Sequence, residues 1–339
     1  MRLRHGGDPG IVITMGPKAD NPSRVSDLVE AGATAVRTVF SYRTPSIHEH
    51  RANLVHDVAG GVGRDVTVIA DLPGGKIRLG ELDGDDQRGI RRDDTLVLTR
   101  PGTSAGVPVT SDRFFSAVSV DDELVVGDGS LVLEVTAVSD AEVECRASRG
   151  GTLESNRGLA VRGSEFDPPT ITESTRESLA FVAESGAFDA VALSFVSSRS
   201  DIETARSILA DHGEQLPIVA KVESAGGMES LPTITEAADA VMAARGDLAL
   251  YLPWTDLESN TSEIARAARD ADTPWILATQ VAAGLEQFGL LTRAEMCDLL
   301  RWRREGCAAV LLSHETAFGT DPVQAVSTVR DGLTNGPQE

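Results

Sequence analysis

Lysine is nearly missing from this chain: Lys18, Lys76 and Lys221 are the only three among 31 basic residues, and the other 28 are arginine. Cysteine is equally scarce. Cys145, Cys297 and Cys307 are odd in number, widely spaced and without a Cys-x-x-Cys pair, which argues against a disulfide framework or a cysteine zinc site. Aromatic residues make up 4% of the 339 positions, so an apolar fraction of 41% must build its core from Val, Leu, Ile and Ala. No apolar run approaches the roughly 18 residues of a membrane span, and the opening MRLRHGGDPG has no apolar signal region. Positive charge is the last shortage. A net charge of −21 argues against a nucleic-acid partner and against an anionic membrane surface, since both need a basic face. The expectation is a soluble, cytoplasmic protein. An acidic chain that binds an anionic metabolite must concentrate its few positive charges locally, which makes individual Arg and Lys positions informative.

What is present is a rhythm. Short Val/Ile/Ala-rich runs alternate with segments of helical period, the pattern of βα units around a parallel sheet. Strands are expected at 11–16, 35–40, 66–72, 190–196, 217–223, 240–246, 274–280 and 308–314, with helices between them near 21, 45, 172–186, 199–211, 227–236, 255–271, 292–304 and 322–333. Ser174 and Glu177 have the spacing of a capping box, and Gly186 supplies a stop. Eight strands each followed by a helix indicate an α/β fold, a (β/α)8 TIM barrel, with an open doubly wound sheet as the structural alternative. The rhythm breaks once. Residues 82–166 hold short alternating runs separated by Asp/Gly turns, an inserted all-β domain after strand three, where it can serve as a lid. The expected division is a barrel of 1–81 and 167–339 with a lid of 82–166.

In such a barrel the catalytic groups come from the C-terminal ends of several strands. Those ends carry Arg37 and Ser41; Asp71, then Lys76 and Arg78; Lys221 and Glu223; Arg245 and Asp247; Thr279 and Gln280; and Ser313, His314 and Glu315. Any one of these is explained as a cap or turn residue, but so many converging from six strands are not. Glu223 and Asp247 are hard oxygen donors suited to Mg2+. Arg37, Arg78 and Lys221 complement a phosphate and a carboxylate, so the set points to phosphoryl or enolate chemistry. Strand alternation puts 221 and 223 on one face.

The same segments resemble pyruvate kinase. The resemblance rests on TMGP (14–17), AVRTVFS (35–41), ADLPGGKIRLG (70–80), VAKVES (219–224), MAARGDLA (242–249), ILATQ (276–280), LTRAE (291–295) and LLSHETAFGTDP (311–322). In the lid it rests on VVGDGSLVLEV (125–135) and GGTLESNRG (150–158), followed by DPPTITES (167–174). It implies that Glu223 and Asp247 bind Mg2+ or Mn2+ and that Lys221 neutralises the transferring phosphoryl group and the enolate oxygen. Gly246, Asp247 and Thr279 would hold the substrate carboxylate, Arg37 and Arg78 would contact phosphate, and Thr279 with Ser313 would lie near the proton path. Pro17, Tyr42, Arg78 and Arg157 would form the nucleotide side. The implied substrates are phosphoenolpyruvate or pyruvate with ADP or ATP, and a homo-oligomer through the barrel is possible.

Three departures accompany the resemblance. The family continues into a C-terminal regulatory domain, whereas this chain is expected to end after its eighth helix. Of the monovalent-cation site, Ser41 and Asp71 remain, but Val39 offers no side-chain oxygen, and Lys76 stands where potassium-dependent members carry Glu. Lys76 is therefore expected as the replacement charge, with K+ not required. On the nucleotide side, Tyr42 replaces the usual His and Arg157 a lid Lys, while His314, either structural or an added acid/base, stands beside Ser313. These changes leave two functions open: a phosphotransferase, or a Mg2+-dependent lyase or aldolase that uses a pyruvate enolate without nucleotide.

Overall fold

The computed structural model describes residues 8–82, 86–102, 106–163 and 167–335. The polar ends at 1–7 and 336–339, and residues 164–166 at the close of the lid segment, lie outside the described residues. Eight strands form a closed parallel barrel: β1 Gly10–Thr14, β2 Ala35–Val39, β3 Thr67–Leu72, β4 Ala190–Leu193, β5 Ile218–Val222, β6 Ala240–Ala244, β7 Trp275–Ala278 and β8 Ala309–Leu312. Pairing of β1 with β8, from Gly10↔Ala309 to Ile13↔Leu312, closes the ring and rules out the open sheet. Several strands end before the apolar runs do. Glu223, Arg245, Thr279 and Ser313 thus stand just past the ladder, where the chain turns outward.

The two-residue alternation sorts each strand's side chains. Ile11, Ile13, Val36, Val68, Val191, Leu193, Ile218 and Val241 face outward and pack on the helices. Val12, Ala35, Ile69, Ala192, Val219, Met242, Ile276 and Leu311 fill the interior. Alanine dominates that interior, through Ala35, Ala190, Ala192, Ala240, Ala244, Ala278 and Ala309. Few aromatic side chains were available to fill it, and small ones suffice at its waist.

Helices follow the strands, with one correction to their signals. The helix Glu173–Ser185 is capped by Thr172, not by a Ser174/Glu177 box: the Thr172 hydroxyl accepts from the Thr175 amide at 3.1 Å, and the Thr175 hydroxyl accepts from the Thr172 amide at 3.2 Å. The Thr175 hydroxyl also donates to the Pro73 carbonyl at 2.6 Å, so a contact with the loop after β3 selects the register. Gly186 does end this helix, in the left-handed conformation at φ 60°. The single helix expected near 227–236 is two short ones, Ala225–Glu229 and Leu231–Ala237. Among the described residues no helix is long and apolar enough to cross a membrane.

The inserted segment is a six-stranded sheet with a two-stranded ribbon pairing Gln87–Ile90 and Gly151–Glu154. One short helix, Asp112–Ala117, accompanies them. Its core is its own and includes Phe114, Leu124, Leu133 and Val143, reaching back to Ile77 and Leu79. Three contacts fix it over the mouth. The Gly75 amide donates to the Pro169 carbonyl at 2.8 Å, joining the outgoing and returning chains. Arg78 bridges to Gly158. Val125 and Ala160 of the lid pack with Phe195, Leu250 and Tyr251 of the barrel. A Cβ on Gly75 would meet the Pro169 ring at 2.5 Å. Gly75→Ala is therefore expected to cost about 1–3 kcal/mol by overpacking and to lower the melting temperature by roughly 2–4 °C in scanning calorimetry; an unchanged melting temperature would show that the crossing is not tight.

Candidate active site

The alternation that fills the barrel with alanine also places its top layer. Thr14 continues the inward face of Val12, Arg37 that of Ala35, Asp71 that of Ile69, Ser194 that of Ala192, Lys221 that of Val219 and Ser313 that of Leu311. These six meet in one network. Lys221 Nζ donates to Asp71 Oδ1 at 3.0 Å and to Ser194 Oγ at 2.9 Å, and lies 3.3 Å from Glu223 Oε1. Arg37 Nη1 donates to the other Asp71 oxygen at 3.0 Å. Its Nε and Nη2 reach Thr14 Oγ1 at 3.1 and 2.9 Å, and Nη2 also reaches Ser313 Oγ at 3.0 Å. One carboxylate thus holds two cations. The second carboxylate, Glu223, stands above.

Burial shapes the charges. Lys221 is 8% exposed and Glu223 2%. Desolvation alone would pull the Lys221 ammonium down, but the charges of Asp71 and Glu223 outweigh it and hold its pKa above the ordinary lysine value. For Glu223, burial pushes the carboxyl up, Lys221 pulls it down, and the neighbouring Asp247 charge pushes it up again, so its pKa stands above the usual range. Glu223 Oε2 accepts from the Phe195 amide at 2.8 Å, with Phe195 held at φ 56°, a left-handed conformation uncommon for a bulky residue.

Asp247 lies in the first turn of the short helix Arg245–Tyr251, and its Oδ1 accepts from Lys76 Nζ at 2.5 Å. Lys76 therefore does not sit on Asp71, whose two oxygens are already taken by Arg37 and Lys221. Of the expected monovalent-cation remnant, Ser41 is exposed and Asp71 is buried. Thr279 packs on Gly246, where a Cβ would come within 2.9 Å of Thr279 Cγ2; glycine is needed there. Thr279 and Gln280 both take left-handed backbone, φ 73° and 52°. Arg245 turns away from the mouth: Nη1 pairs with Asp298 at 2.6 Å while Nη2 holds the Thr279 carbonyl at 2.9 Å.

The outer rim holds Arg78, Tyr42 and Arg157. The Arg78 guanidinium stands 5.9 Å above the centre of the Tyr42 ring and donates to the Asn156 carbonyl at 3.1 Å. Tyr42 is 62% exposed. Arg157 is paired with Glu154 at 2.5 Å, and that bond, with the Glu154 and Asp128 charges, raises its pKa. Pro17 is exposed in the loop after β1. His314 is not gathered in; its exposed ring lies 3.8 Å from Glu286 and against Phe318.

Sequence reasoning missed Ser194, Thr14 and the Phe195 amide, while it had Glu315 among the strand-end residues. Extending the inward parity by one step finds the first two. Glu315 is buried and accepts from the Ser313 amide at 2.7 Å and the Ala282 amide at 3.2 Å, locking the loops after β7 and β8 together. Among the described residues no three His, Cys, Asp or Glu side chains form a ready-made metal cage. Two neighbouring carboxylates, the Asp247 charge pushing the Glu223 carboxyl up and each bearing an ammonium group, are nevertheless a fitting donor pair for a cation that fills its other positions with water and substrate oxygens.

Comparison with known proteins agrees with this geometry. The model of the pyruvate kinase barrel domain matches residues 8–326. A pyruvate kinase of Mycobacterium intracellulare is 33% identical over 327 residues, covering 94% of this chain and 68% of that protein. One of Thermococcus litoralis is 33% identical over 319 residues, covering 93% and 67%. A Synechocystis relative, pyruvate kinase 2, is 32% identical over 329 residues, but they make up 54% of its length. With a barrel, a lid and a charged mouth in matching order along its length, the chain belongs to the pyruvate kinase family.

Proposed function

We propose that this chain transfers a phosphoryl group between phosphoenolpyruvate and ADP in the cytoplasm, with pyruvate formed through its enolate. The observation that carries the reading is Lys221: a buried ammonium, kept charged by Asp71 and Glu223, at the point where the barrel opens. When phosphorus leaves the enol oxygen for a terminal oxygen of ADP, the bonding pair stays on the enol oxygen as an enolate. Preorganised positive charge stabilises that change without reorganisation. A divalent cation held by Glu223 and Asp247 supplies a Lewis acid toward the substrate oxygens when bound. Arg37, fixed by Asp71, Thr14 and Ser313, has the position and charge for the phosphate, and Gly246, Asp247 and Thr279 those for the carboxylate.

The proton that completes pyruvate must reach C3 of the enolate. Ser313 Oγ accepts from Arg37, so its own proton is free to be passed on, and Thr279 adds a second hydroxyl at the same mouth. Arg78 over Tyr42, with Arg157 and Pro17 on the rim, offers phosphate charge and a stacking face to the nucleotide. The lid fixed over this site keeps water from the phosphoryl group.

Three results are expected. With Mg2+, phosphoenolpyruvate and ADP, the purified protein should form ATP; deuterium exchange into pyruvate with no ATP formation would move the reading to an enolate lyase. Lys221→Met should lower ATP formation on the order of a hundred- to a thousandfold, the loss seen when one preorganised stabilising donor is removed, with the circular dichroism spectrum retained; full turnover would remove Lys221 from the mechanism. Activity in K+-free buffer should change less than about twofold when K+ is added, because Arg37 and Lys221 already place a fixed cation on each Asp71 oxygen; a tenfold rise would count against this.

A further inference from the structure

Lys76 has a place in this site that the reaction above does not use. It leaves the barrel on the segment that becomes the lid, and its ammonium is bonded to Asp247 at 2.5 Å, with side-chain exposures of 24% and 21% for the two partners. The lid braces its stem: a Cβ on Gly158 would fall 2.6 Å from Lys76 Cε, Arg78 two residues on bridges to Gly158, and the Leu159 amide donates to the Ile77 carbonyl at 2.9 Å. Asp247 in turn faces Glu223, whose carboxyl it pushes up. The ammonium of Lys76 thus balances two carboxylates that would otherwise repel.

We propose that Lys76 is a displaceable internal counter-ion of Asp247, and that it and a divalent cation compete for that carboxylate. The inference rests on the reading of Glu223 and Asp247 as the cation site. An Asp247 oxygen that accepts from an ammonium at hydrogen-bond distance is shared or surrendered when a metal binds, and a fixed positive charge beside the site repels a second one. Both effects weaken the cation, and both vanish if Lys76 is neutral. The partial exposure of the pair leaves room for the ammonium to move aside, and its seat on the segment that leads into the lid makes cation binding and lid placement share one side chain. Lys221 cannot play this part, because it is buried and held on Asp71 and Ser194 as well as Glu223.

The test is Mn2+ binding to the full chain without substrate, read as free Mn2+ by electron paramagnetic resonance, for the wild type, Lys76→Met, Lys76→Arg and Asp247→Asn. Lys76→Met should bind Mn2+ roughly fivefold more tightly, the scale of one partly exposed ion pair removed, while Lys76→Arg stays near wild type because its charge remains. The metal-free Lys76→Met protein should melt below wild type, and saturating Mn2+ should narrow that gap. Unchanged or weaker Mn2+ affinity in Lys76→Met, or equal tightening in Lys76→Arg, overturns the competition. If Asp247→Asn leaves Mn2+ affinity unchanged, the cation-site reading itself falls and takes the inference with it; if Asp247→Asn weakens binding and Lys76→Met does not tighten it, only the inference falls.

Discussion

Asp71 is the constraint on which the mouth of the barrel depends. Its two oxygens hold two different cations, Arg37 and Lys221, that arrive from strands on opposite sides of it in the ring. Each would be costly to bury alone, and removing one partner of such a group typically costs about 3–5 kcal/mol. Held together they are fixed in position, and what they present outward is charge without mobility. Thr14, Ser194 and Ser313 complete the arrangement by taking up the remaining donors. Glu223 and Asp247 then sit on a platform that cannot rearrange easily, which is the condition for electrostatic preorganisation.

Much of this was legible in the sequence because two simple periods carry it. The strand runs and their helical spacers gave eight βα units, and closure of β1 on β8 is the one step that periodicity could not supply. Parity brought Lys221 and Glu223 to one face. Carried further, it also places Thr14 and Ser194, whose one-step extension from Val12 and Ala192 is plain once the interior is known. Side-chain partners were less legible. Lys76 was expected as the replacement charge beside Ser41 and Asp71, yet both Asp71 oxygens hold other cations and the Lys76 ammonium is bonded to Asp247. A sequence shows which charges are near a strand end, not which of them have been taken. The cap at Thr172 was missed for a similar reason: a long-range bond from Thr175 to Pro73 overrode the local Ser-x-x-Glu signal. Arg245 looked like a site residue by position, but its pairing with Asp298 makes it a brace for the backbone at Thr279.

The lid is joined to the barrel at places that matter for the site. On the outgoing chain Lys76 grips Asp247; on the returning chain Asp167 accepts from the Gly226 amide at 2.8 Å, three residues past Glu223. Both carboxylates of the candidate cation site are therefore tied to the two chain segments on which the lid hangs. Packing of Leu250 and Tyr251 against Val125 and Ala160 adds an apolar contact on the helix that carries Asp247. A movement of the lid has to pass through these links.

The alanine-lined interior has a consequence for how the molecule meets a small anion. Beneath the charged layer the interior is apolar, lined by alanine, aliphatic side chains and Met242. Field lines from Arg37 and Lys221 are poorly screened on that side and emerge through the open end, where a low-dielectric wall focuses them. Seen from a distance, a protein of net charge −21 repels an anion; within a Debye length of the mouth, roughly 8 Å at physiological salt, Arg37 and Lys221 offset that repulsion locally. The barrel acts as a short-sighted lens, unwelcoming to anions far away and receptive only to those that arrive at its aperture.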